Sequence, residues 1–446
     1  MTYYSNQLEF EALPIEAIAL EPAHIERAIQ ISSLISNQTR QWQAYINALA
    51  LFGFQQWLSD RAAELAVDLD DCTALLPQYA NVFETVCNVK IGEFKLCLIA
   101  RGSLTDEEVS IARAAIELPE FMAHFYVLIE VQEESEQAIV QGFLRRDRFW
   151  QRSVRLQPDS DWNYNLPLAW FESDPDRLLL YLRCLEPAAI PLPEVPRDRI
   201  AALSRIQAEL TTRLPRLQSA DLFLQQVLTW EQAAVVLTHP ELLDWIYNLP
   251  NSAENSEPNS LSDLLNLLTQ QAINVARWLQ DQIDELTQGY SWVLMPAFVP
   301  VTEGLRSART IEEDLPIEEF QNIMRQLANT GVEIPPTARG AYQDLRLAET
   351  QARLYALTWP FLSPEDTAEW MLLLVLGPQS GNPLLHGIRL RISDQSGILV
   401  QRMLNRNSLD TYLYVLIAGR WDEKFLATIT LPNGIALTLP PFAFRP

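Results

Sequence analysis

The chain has 446 residues, 48% of them hydrophobic, with a formal net charge of −24 and a pI near 4.6. This length is enough for about two to four domains with sizeable cores, and so strong a negative charge disfavours nucleic-acid binding unless basic residues are concentrated locally. No segment approaches the roughly eighteen apolar residues of a membrane span, and residues 1–10 lack the basic start of a signal peptide. We therefore expect a cytoplasmic protein that binds neither nucleic acid nor membrane.

The N-terminal region is predicted to begin with helices. Pro22 suits the first turn of a helix that runs to about Leu34. A second helix is indicated by apolar residues at three- and four-residue spacing, namely Trp42, Tyr45, Leu49, Phe52 and Trp57. We expect both helices to pack on the sheet that follows.

A β-hairpin is the clearest local pattern in the chain. His124–Val131 and Ala138–Leu144 are apolar runs separated by the polar turn Glu133–Gln137, as in two antiparallel strands. Both faces are apolar, which predicts a barrel or a sheet under helices. The earlier segment from Thr105 to Arg113 fits either a capped helix or a strand, and both readings stay open.

A proline-rich run predicts a domain boundary, because proline fits neither a helix interior nor a central strand. We expect an α+β domain with a small antiparallel sheet or barrel at 1–186, a linker at 187–198 and a mainly helical region at 199–362. Helices in that region are predicted at Ile200–Leu210, Asp221–Leu237, Ser262–Leu286, Glu318–Leu327 and Tyr342–Ala356.

The last part of the chain, 366–446, is predicted to be an antiparallel β-sandwich of the immunoglobulin-like type. Short apolar runs separated by turn residues indicate six strands: Trp370–Leu376, Gly387–Ile392, Ile398–Met403, Tyr412–Ile417, Phe425–Thr430 and Ile435–Leu439. The whole chain is thus expected to be an α+β multidomain protein.

One basic cluster stands out in this acidic sequence. The chain has thirty arginines and only three lysines (Lys90, Lys95 and Lys424). Five of the arginines lie within eleven residues beside an aromatic side chain, and the candidate partner-binding patch is Arg145, Arg146, Arg148, Trp150, Arg152 and Arg155. Arginine binds carboxylates bidentately and stacks on aromatic rings, so an acidic segment of a protein partner fits. The alternative is pairing with the protein's own carboxylates.

Sequence motifs for catalysis, cofactors or metals are missing, so no cofactor or metal is expected. Cys97 and His124 lie on predicted strands of one sheet and form a candidate nucleophile and base, whereas the apolar run around Cys97 favours a core cysteine. All four cysteines are expected to be buried. A second candidate for acid–base or cation chemistry is an acidic group that a helix N-terminus also explains: Glu312, Glu313, Asp314, Glu318 and Glu319.

Several segments resemble a cyanobacterial family known as domain of unknown function eighteen twenty-two. They are AYINALALFGFQQWL, GEFKLCLIARG, ELPEFMAHFYVLIEVQEESEQAIVQGFLRRDRF, AINVARWLQD and IRLRISDQSGILVQRMLNRNSLDTYLYVLIAGRWDEKFLATITL. The resemblance covers most of the chain and carries over no catalytic residue. The resemblance also implies a regulatory or signalling setting, because members are often encoded beside sigma-70-type factors, an association that carries no mechanism.

The sequence therefore favours a non-enzymatic adaptor or regulatory protein that acts through protein–protein interaction. The alternative is a hydrolase or transferase with a site around the N-terminal sheet. A third hypothesis is that the sandwich binds a carbohydrate or another small ligand.

Overall fold

A computed structural model describes most of the chain, and residues outside its described ranges are not discussed. The described ranges are 17–35, 37–82, 87–102, 107–152, 156–218, 222–249, 261–296, 311–329, 331–362, 368–379, 383–405, 411–421 and 423–445. The chain divides into two units, 1–256 and 257–446. Each unit is described by itself.

Unit 1 begins with a short strand and the two predicted helices, which are both confirmed: β1 (Ile18–Ala19), α1 (Pro22–Ser33) and α2 (Gln38–Arg61). Proline occupies the first turn of α1. Asn37 starts α2, because its side-chain oxygen accepts hydrogen bonds from the backbone N–H groups of Thr39 and Arg40. Trp42 was expected on the packed face of α2, but 54% of its side chain is exposed.

The rest of unit 1 alternates short strands and helices. These elements are β2 (Val67–Asp68), α3 (Pro77–Ala80), β3 (Asn88–Ile91), β4 (Phe94–Arg101), β5 (Glu108–Ala112), α4 (Arg113–Glu117), β6 (Phe125–Gln132), β7 (Gln137–Arg145), α5 (Arg146–Arg152), β8 (Asn163–Pro167), α6 (Pro175–Cys184), α7 (Arg199–Arg213), α8 (Leu224–Val227), α9 (Trp230–Leu237) and α10 (Pro240–Asn248).

Six strands of unit 1 form one sheet in the order β1-β7-β6-β4-β3-β2. The predicted hairpin is confirmed, since β6 and β7 pair antiparallel from Phe125 and Arg145 to Gln132 and Gln137. The sheet is mixed, not antiparallel as expected, because β4 and β6 run parallel. Between them the chain forms β5 and α4, and such a crossover returns it to the starting edge of the sheet.

The core of unit 1 lies between α2 and this sheet. Gly53 of α2 allows a close approach, because a Cβ atom at that position would lie 2.4 Å from the Cβ atom of Ala138 on β7. The segment left open in the sequence is a strand at Glu108–Ala112, where β5 pairs with β8. The predicted linker lies within unit 1, and its Ile190 is fully buried in this core. The domain boundary placed there stays a prediction.

Unit 2 contains three α-helices among its described residues and is otherwise rich in strands. Its elements are α11 (Leu261–Thr269), β9 (Ile273–Asn274), α12 (Glu285–Gly289), β10 (Val293–Leu294), α13 (Ile311–Asn329), β11 (Arg339–Leu347), β12 (Thr350–Leu362), β13 (Ala368–Pro378), β14 (Arg389–Ser393), β15 (Ile398–Met403), β16 (Leu413–Arg420), β17 (Lys424–Thr430), β18 (Ala436–Thr438) and β19 (Phe442–Ala443). All six strands predicted near the C-terminus are confirmed, as is the helix predicted at Glu318–Leu327, within α13.

Two helices predicted in this unit are wrong. The long helix from Ser262 ends at Thr269, and the chain then pairs Ile273 with Phe442 of β19. Tyr342–Ala356 forms parts of the antiparallel strands β11 and β12. Tyr342–Ala356 is rich in residues that favour helices, but β12 pairs with β11 on one side and with β13 on the other, and this pairing outweighs the helix preference.

The strands of unit 2 form two larger sheets, ordered β10-β11-β12-β13-β16 and β15-β14-β17-β19-β9, with β18 beside β17. Both contribute to one core, which includes Leu372 and Leu374 from the first sheet and Leu390, Ile392 and Ile429 from the second. Helices and sheets thus coexist in the chain, which is of the α+β class. The immunoglobulin-like topology of the C-terminal part stays a prediction.

Candidate functional site

The arginine cluster lies where the hairpin ends and a short helix begins. Arg145 is the last residue of β7, and α5 spans Arg146–Arg152. Arg155 lies outside the described residues. Phe149 is buried and fixes the helix to the unit, because its ring lies 6.4 Å from that of Tyr126 and 6.3 Å from that of Trp170.

Arg145 is occupied by intramolecular contacts. Its guanidinium donates two hydrogen bonds to the carboxylate of Asp147, at 3.0 and 2.9 Å. It also lies over the ring of Tyr181, 4.9 Å from the ring centroid. Arg145 thus pairs with a carboxylate of the protein itself, which is the alternative that the sequence left open.

Arg146 is also engaged within unit 1. Its guanidinium donates to the carbonyl oxygen of Pro191 at 2.8 Å and lies over the ring of Trp150, with 5.5 Å between the guanidinium carbon and the ring centroid. Burial lowers the pKa of this arginine, because the charged form loses hydration. Arg146 therefore positions Trp150 and joins α5 to the segment after α6.

The remaining side chains face solvent. Arg148 is exposed and forms no hydrogen bond or ion pair with another described residue. Arg152 is exposed and donates to the carbonyl oxygen of Trp170 at 3.2 Å. Trp150 is 48% exposed. We name Arg148, Trp150 and Arg152 the α5 surface.

The α5 surface carries local positive charge in an acidic protein. Asp147, the acidic residue within α5, forms an ion pair with Arg145. It therefore does not neutralise Arg148 or Arg152. Exposed charges beyond about 8 Å are largely screened at physiological ionic strength. A partner in contact with α5 therefore interacts more strongly with these two nearby positive charges than with the distant negative charges that make up the overall charge of −24.

The candidate nucleophile and base near the sheet do not have the chemistry of a reactive pair. Cys97 is fully buried, and burial raises the pKa of its thiol to about 12, so the thiolate is suppressed at neutral pH. His124 accepts a hydrogen bond at Nδ1 from the backbone N–H of Lys95, at 2.9 Å. Cys97 is a core cysteine, as its apolar surroundings indicated, and His124 ties the start of β4 to the start of β6.

The acidic group predicted near the start of α13 is described only in part. The side chains at 311–318 lie outside the described residues. Glu319 accepts a hydrogen bond at 3.0 Å from Arg353, which also binds Asp344. Across the described part of the chain, no group of three or more His, Cys, Asp or Glu residues is arranged to hold a metal ion.

Two features were missed in the sequence. The prediction that all cysteines are buried is wrong for Cys184, which is exposed. The second is the proximity of Cys72 and Cys87, which are fifteen positions apart in the sequence but have Sγ atoms only 3.9 Å from each other. A sequence feature could have drawn attention to Lys90 and Lys95, because they are two of only three lysines in the chain and lie on either side of a turn.

Comparison with known families gives a match along nearly the whole chain. A family model described as protein of unknown function, DUF1822, matches residues 18–438. The chain belongs to the DUF1822 family. No curated protein and no solved structure matches this DUF1822 protein. Of the helices in the described ranges, none combines the length and the apolar character of a membrane span.

Proposed function

We propose that this DUF1822 protein is a non-enzymatic adaptor or regulatory protein that binds an acidic segment of a protein partner at the α5 surface. The observation that supports the proposal is the exposure of two arginines one helical turn apart, together with a half-exposed tryptophan on another side of the same short helix, which the buried Phe149 packs against unit 1. Tryptophan and arginine are the residues most enriched among those that dominate binding energy at protein interfaces.

The arrangement favours a carboxylate-rich partner. Arg148 and Arg152 are four residues apart, so they lie one helical turn from each other on the same side of α5. Each guanidinium can hold a carboxylate through two parallel hydrogen bonds. Trp150 lies on a different side of the helix, two residues from each arginine, and offers an apolar ring to a partner segment that passes around α5. Because Arg146 already lies over that ring, less conformational freedom is lost on binding.

The proposal includes the finer expectations drawn from the sequence. The protein acts in the cytoplasm of a cyanobacterium, in a regulatory setting linked to sigma factors or stress signalling. The C-terminal strands form an immunoglobulin-like sandwich that accompanies the binding unit. The hydrolase or transferase alternative has less support, because burial and a pKa of about 12 leave Cys97 without nucleophilic character.

The test is a double charge reversal, Arg148→Glu with Arg152→Glu, compared with a matched control, Arg205→Glu with Arg216→Glu. All four arginines are exposed in unit 1, so both variants change the net charge equally. Arg145 and Arg146 are left intact because their contacts hold the structure. Circular dichroism and thermal unfolding confirm that both variants fold.

Two readouts decide the result. The first is crosslinked affinity purification from the native cell, in which a stoichiometric protein must be captured by wild type and control but lost by the α5 variant. The second is fluorescence anisotropy with a labelled synthetic peptide rich in Glu and Asp, whose affinity should fall at least tenfold, or about 1.4 kcal/mol, in the α5 variant alone. If both variants lost binding equally, the effect would come from net charge alone and not from α5. If the α5 variant still captured the partner, α5 would not be the binding surface.

A further inference from the structure

Two of the three lysines face each other across the sheet of unit 1. Lys90 on β3 and Lys95 on β4 are direct partners in the antiparallel register, joined by a tight turn at Gly92 and Glu93. Like charges directly opposite each other destabilise a strand pair. In a chain where thirty of the thirty-three basic residues are arginine, such a lysine pair requires a separate explanation.

The lysine pair borders a cavity. Its volume is about 360 Å³ when the solvent at its open mouth is counted. The cavity is lined by Asp68, Asp71, Asn88, Val89, Lys90, Lys95, Leu96, Glu120 and Met122. We name it the lysine pocket.

Most charges around the lysine pocket already have partners. Lys90 donates to the carboxylate of Asp71, which raises the pKa of this lysine. Glu120 accepts two hydrogen bonds at 2.8 Å from the guanidinium of Arg199. Asp68 lies exposed at the rim, where it accepts from the backbone N–H of its neighbour Asp70.

Lys95 differs from these residues. Its ammonium group forms no hydrogen bond or ion pair with any residue in the described part of the chain. Its backbone is nevertheless fixed, because its N–H donates to Nδ1 of His124 and its carbonyl oxygen accepts from the backbone N–H of His124. The pocket thus contains one positive charge, carried by a residue whose backbone is fixed and without a partner among the described residues.

Asn88 provides a second group without a partner. Its side-chain oxygen is buried and accepts no hydrogen bond from any residue that the structure describes. An unsatisfied buried acceptor is unfavourable, so a ligand that donates a hydrogen bond to Asn88 would supply the missing interaction. A ligand for the lysine pocket therefore needs anionic oxygens for Lys95 and a hydrogen-bond donor for Asn88.

We propose that the lysine pocket binds phosphate, either as the free ion or as the phosphate group of a small metabolite. Near neutral pH phosphate carries negative oxygens together with a P–OH group, so it can accept from Lys95 and donate to Asn88. Sulfate has the same shape but no O–H donor at this pH. The pocket should therefore prefer phosphate to sulfate.

The experiment measures how fast each lysine of the full chain is acetylated by acetic anhydride, with mass spectrometry of the peptides. Three lysines make the assignment direct, and Lys424 is an internal control because its ammonium lies in unit 2 and donates to the carbonyl oxygen of Leu267. Millimolar phosphate should slow acetylation of Lys95 several-fold, relative to chloride at equal ionic strength, and leave Lys424 unchanged. Sulfate should protect Lys95 much less.

Variants separate the two groups and keep the proposal testable by a second route. Phosphate should raise the melting temperature of wild type and of Lys424→Met, and this increase should vanish in Lys95→Met. In the Asn88→Leu variant, phosphate and sulfate should slow the acetylation of Lys95 to the same small extent.

The possible sources of the phosphate group are also distinguishable. Stronger protection of Lys95 by glycerol phosphate than by inorganic phosphate assigns the site to a phosphorylated metabolite, and equal or weaker protection assigns it to the free ion. The proposal is overturned if neither compound protects Lys95, or if sulfate protects it as well as phosphate does.

Discussion

The Sγ atoms of Cys72 and Cys87 lie 3.9 Å apart, and both side chains are buried in unit 1. The contact between the two thiols lowers the pKa of Cys72 and raises that of Cys87. Cys72 is therefore the group that reacts first when an oxidant enters. A disulfide needs a separation near 2.05 Å, so each sulfur must move by about 1 Å.

We predict that diamide converts this pair into a disulfide in the folded protein. The two thiols lose two electrons and two protons, which reduce the azo group of diamide to a hydrazine. The link joins residues fifteen positions apart, and closing such a loop stabilises by up to about 3 kcal/mol, less any distortion. The measurement is peptide mass spectrometry after alkylation, in a Cys184→Ser background that removes the exposed thiol. Recovery of both residues as free thiols would contradict the prediction.

The parts of the fold that were predicted correctly depend on local patterns. The hairpin of β6 and β7 could be predicted because its alternation and its polar turn lie within about twenty residues. The parallel pairing of β4 with β6, and the pairing of Ile273 with Phe442, join residues far apart in sequence. Periodicity carries no information about such partners, so the long helix predicted through Ile273 was assigned wrongly.

The candidate site shows the same limit. The sequence locates the arginine cluster and Trp150, and Asp147 within it suggests self-pairing. Which arginines remain available depends on Tyr181 and on the carbonyl oxygen of Pro191, which come from later segments of unit 1. These contacts engage two of the four described arginines of the cluster and leave the two of the α5 surface.

His124 should make unit 1 less stable as the solution becomes acidic. Burial, with the nearby charges of Lys95 and Arg146, lowers the pKa of His124 below its ordinary value of 6.5. The unfolded state therefore binds a proton at a higher pH than the folded state does. As pH falls through 6.5 toward the folded pKa, the free energy of unfolding decreases by up to about 1.4 kcal/mol per pH unit from this residue.

The check is urea unfolding as a function of pH in wild type and in His124→Asn. Asparagine can accept the hydrogen bond from Lys95 through its side-chain oxygen but does not titrate, so the variant should show a shallower decrease below pH 6.5. His386→Asn, at an exposed position, is the control and should leave the curve unchanged. Identical slopes in wild type and His124→Asn would assign the pH dependence to other groups.

Removing Arg391 should destabilise unit 2 more than changing its acidic partner. Arg391 donates to Asp263 at 2.6 Å, and the Asp263 side chain is only 6% exposed. Arg391→Met leaves that carboxylate buried without its cation, which costs about 3–5 kcal/mol. Asp263→Asn keeps a hydrogen-bond acceptor and leaves the better-hydrated arginine, so its cost should be about 1–3 kcal/mol.

Chemical denaturation of unit 2 measures both changes, with Arg389→Met as the matched control on the same strand. Arg389 is exposed, and surface substitutions of this kind usually alter stability by no more than about 0.5 kcal/mol. If Asp263→Asn proved as costly as Arg391→Met, the ranking by burial of the uncompensated charge would be wrong.

Gly142 is required where β7 approaches the segment before α6. A Cβ atom at this position would lie 2.4 Å from the carbonyl oxygen of Glu172. The adjacent Phe143 exchanges two backbone hydrogen bonds with Glu172, at 3.0 and 2.8 Å, so the two segments cannot separate without losing both. Gly142→Ala should therefore destabilise unit 1 by about 1–3 kcal/mol, the usual range for overpacking.

Gly102→Ala is the matched control, because a Cβ atom there meets no heavy atom within 4 Å. Its effect should stay within about 0.5 kcal/mol, as expected for an open surface position. Free energies of unfolding in urea compare the two variants, and equal values would contradict the prediction. Gly142 lies three residues before Arg145, so Gly142→Ala should also weaken binding of the acidic peptide at the α5 surface, whereas Gly102→Ala should leave it unchanged. A destabilised variant with wild-type peptide affinity would show that α5 keeps its position independently of this contact.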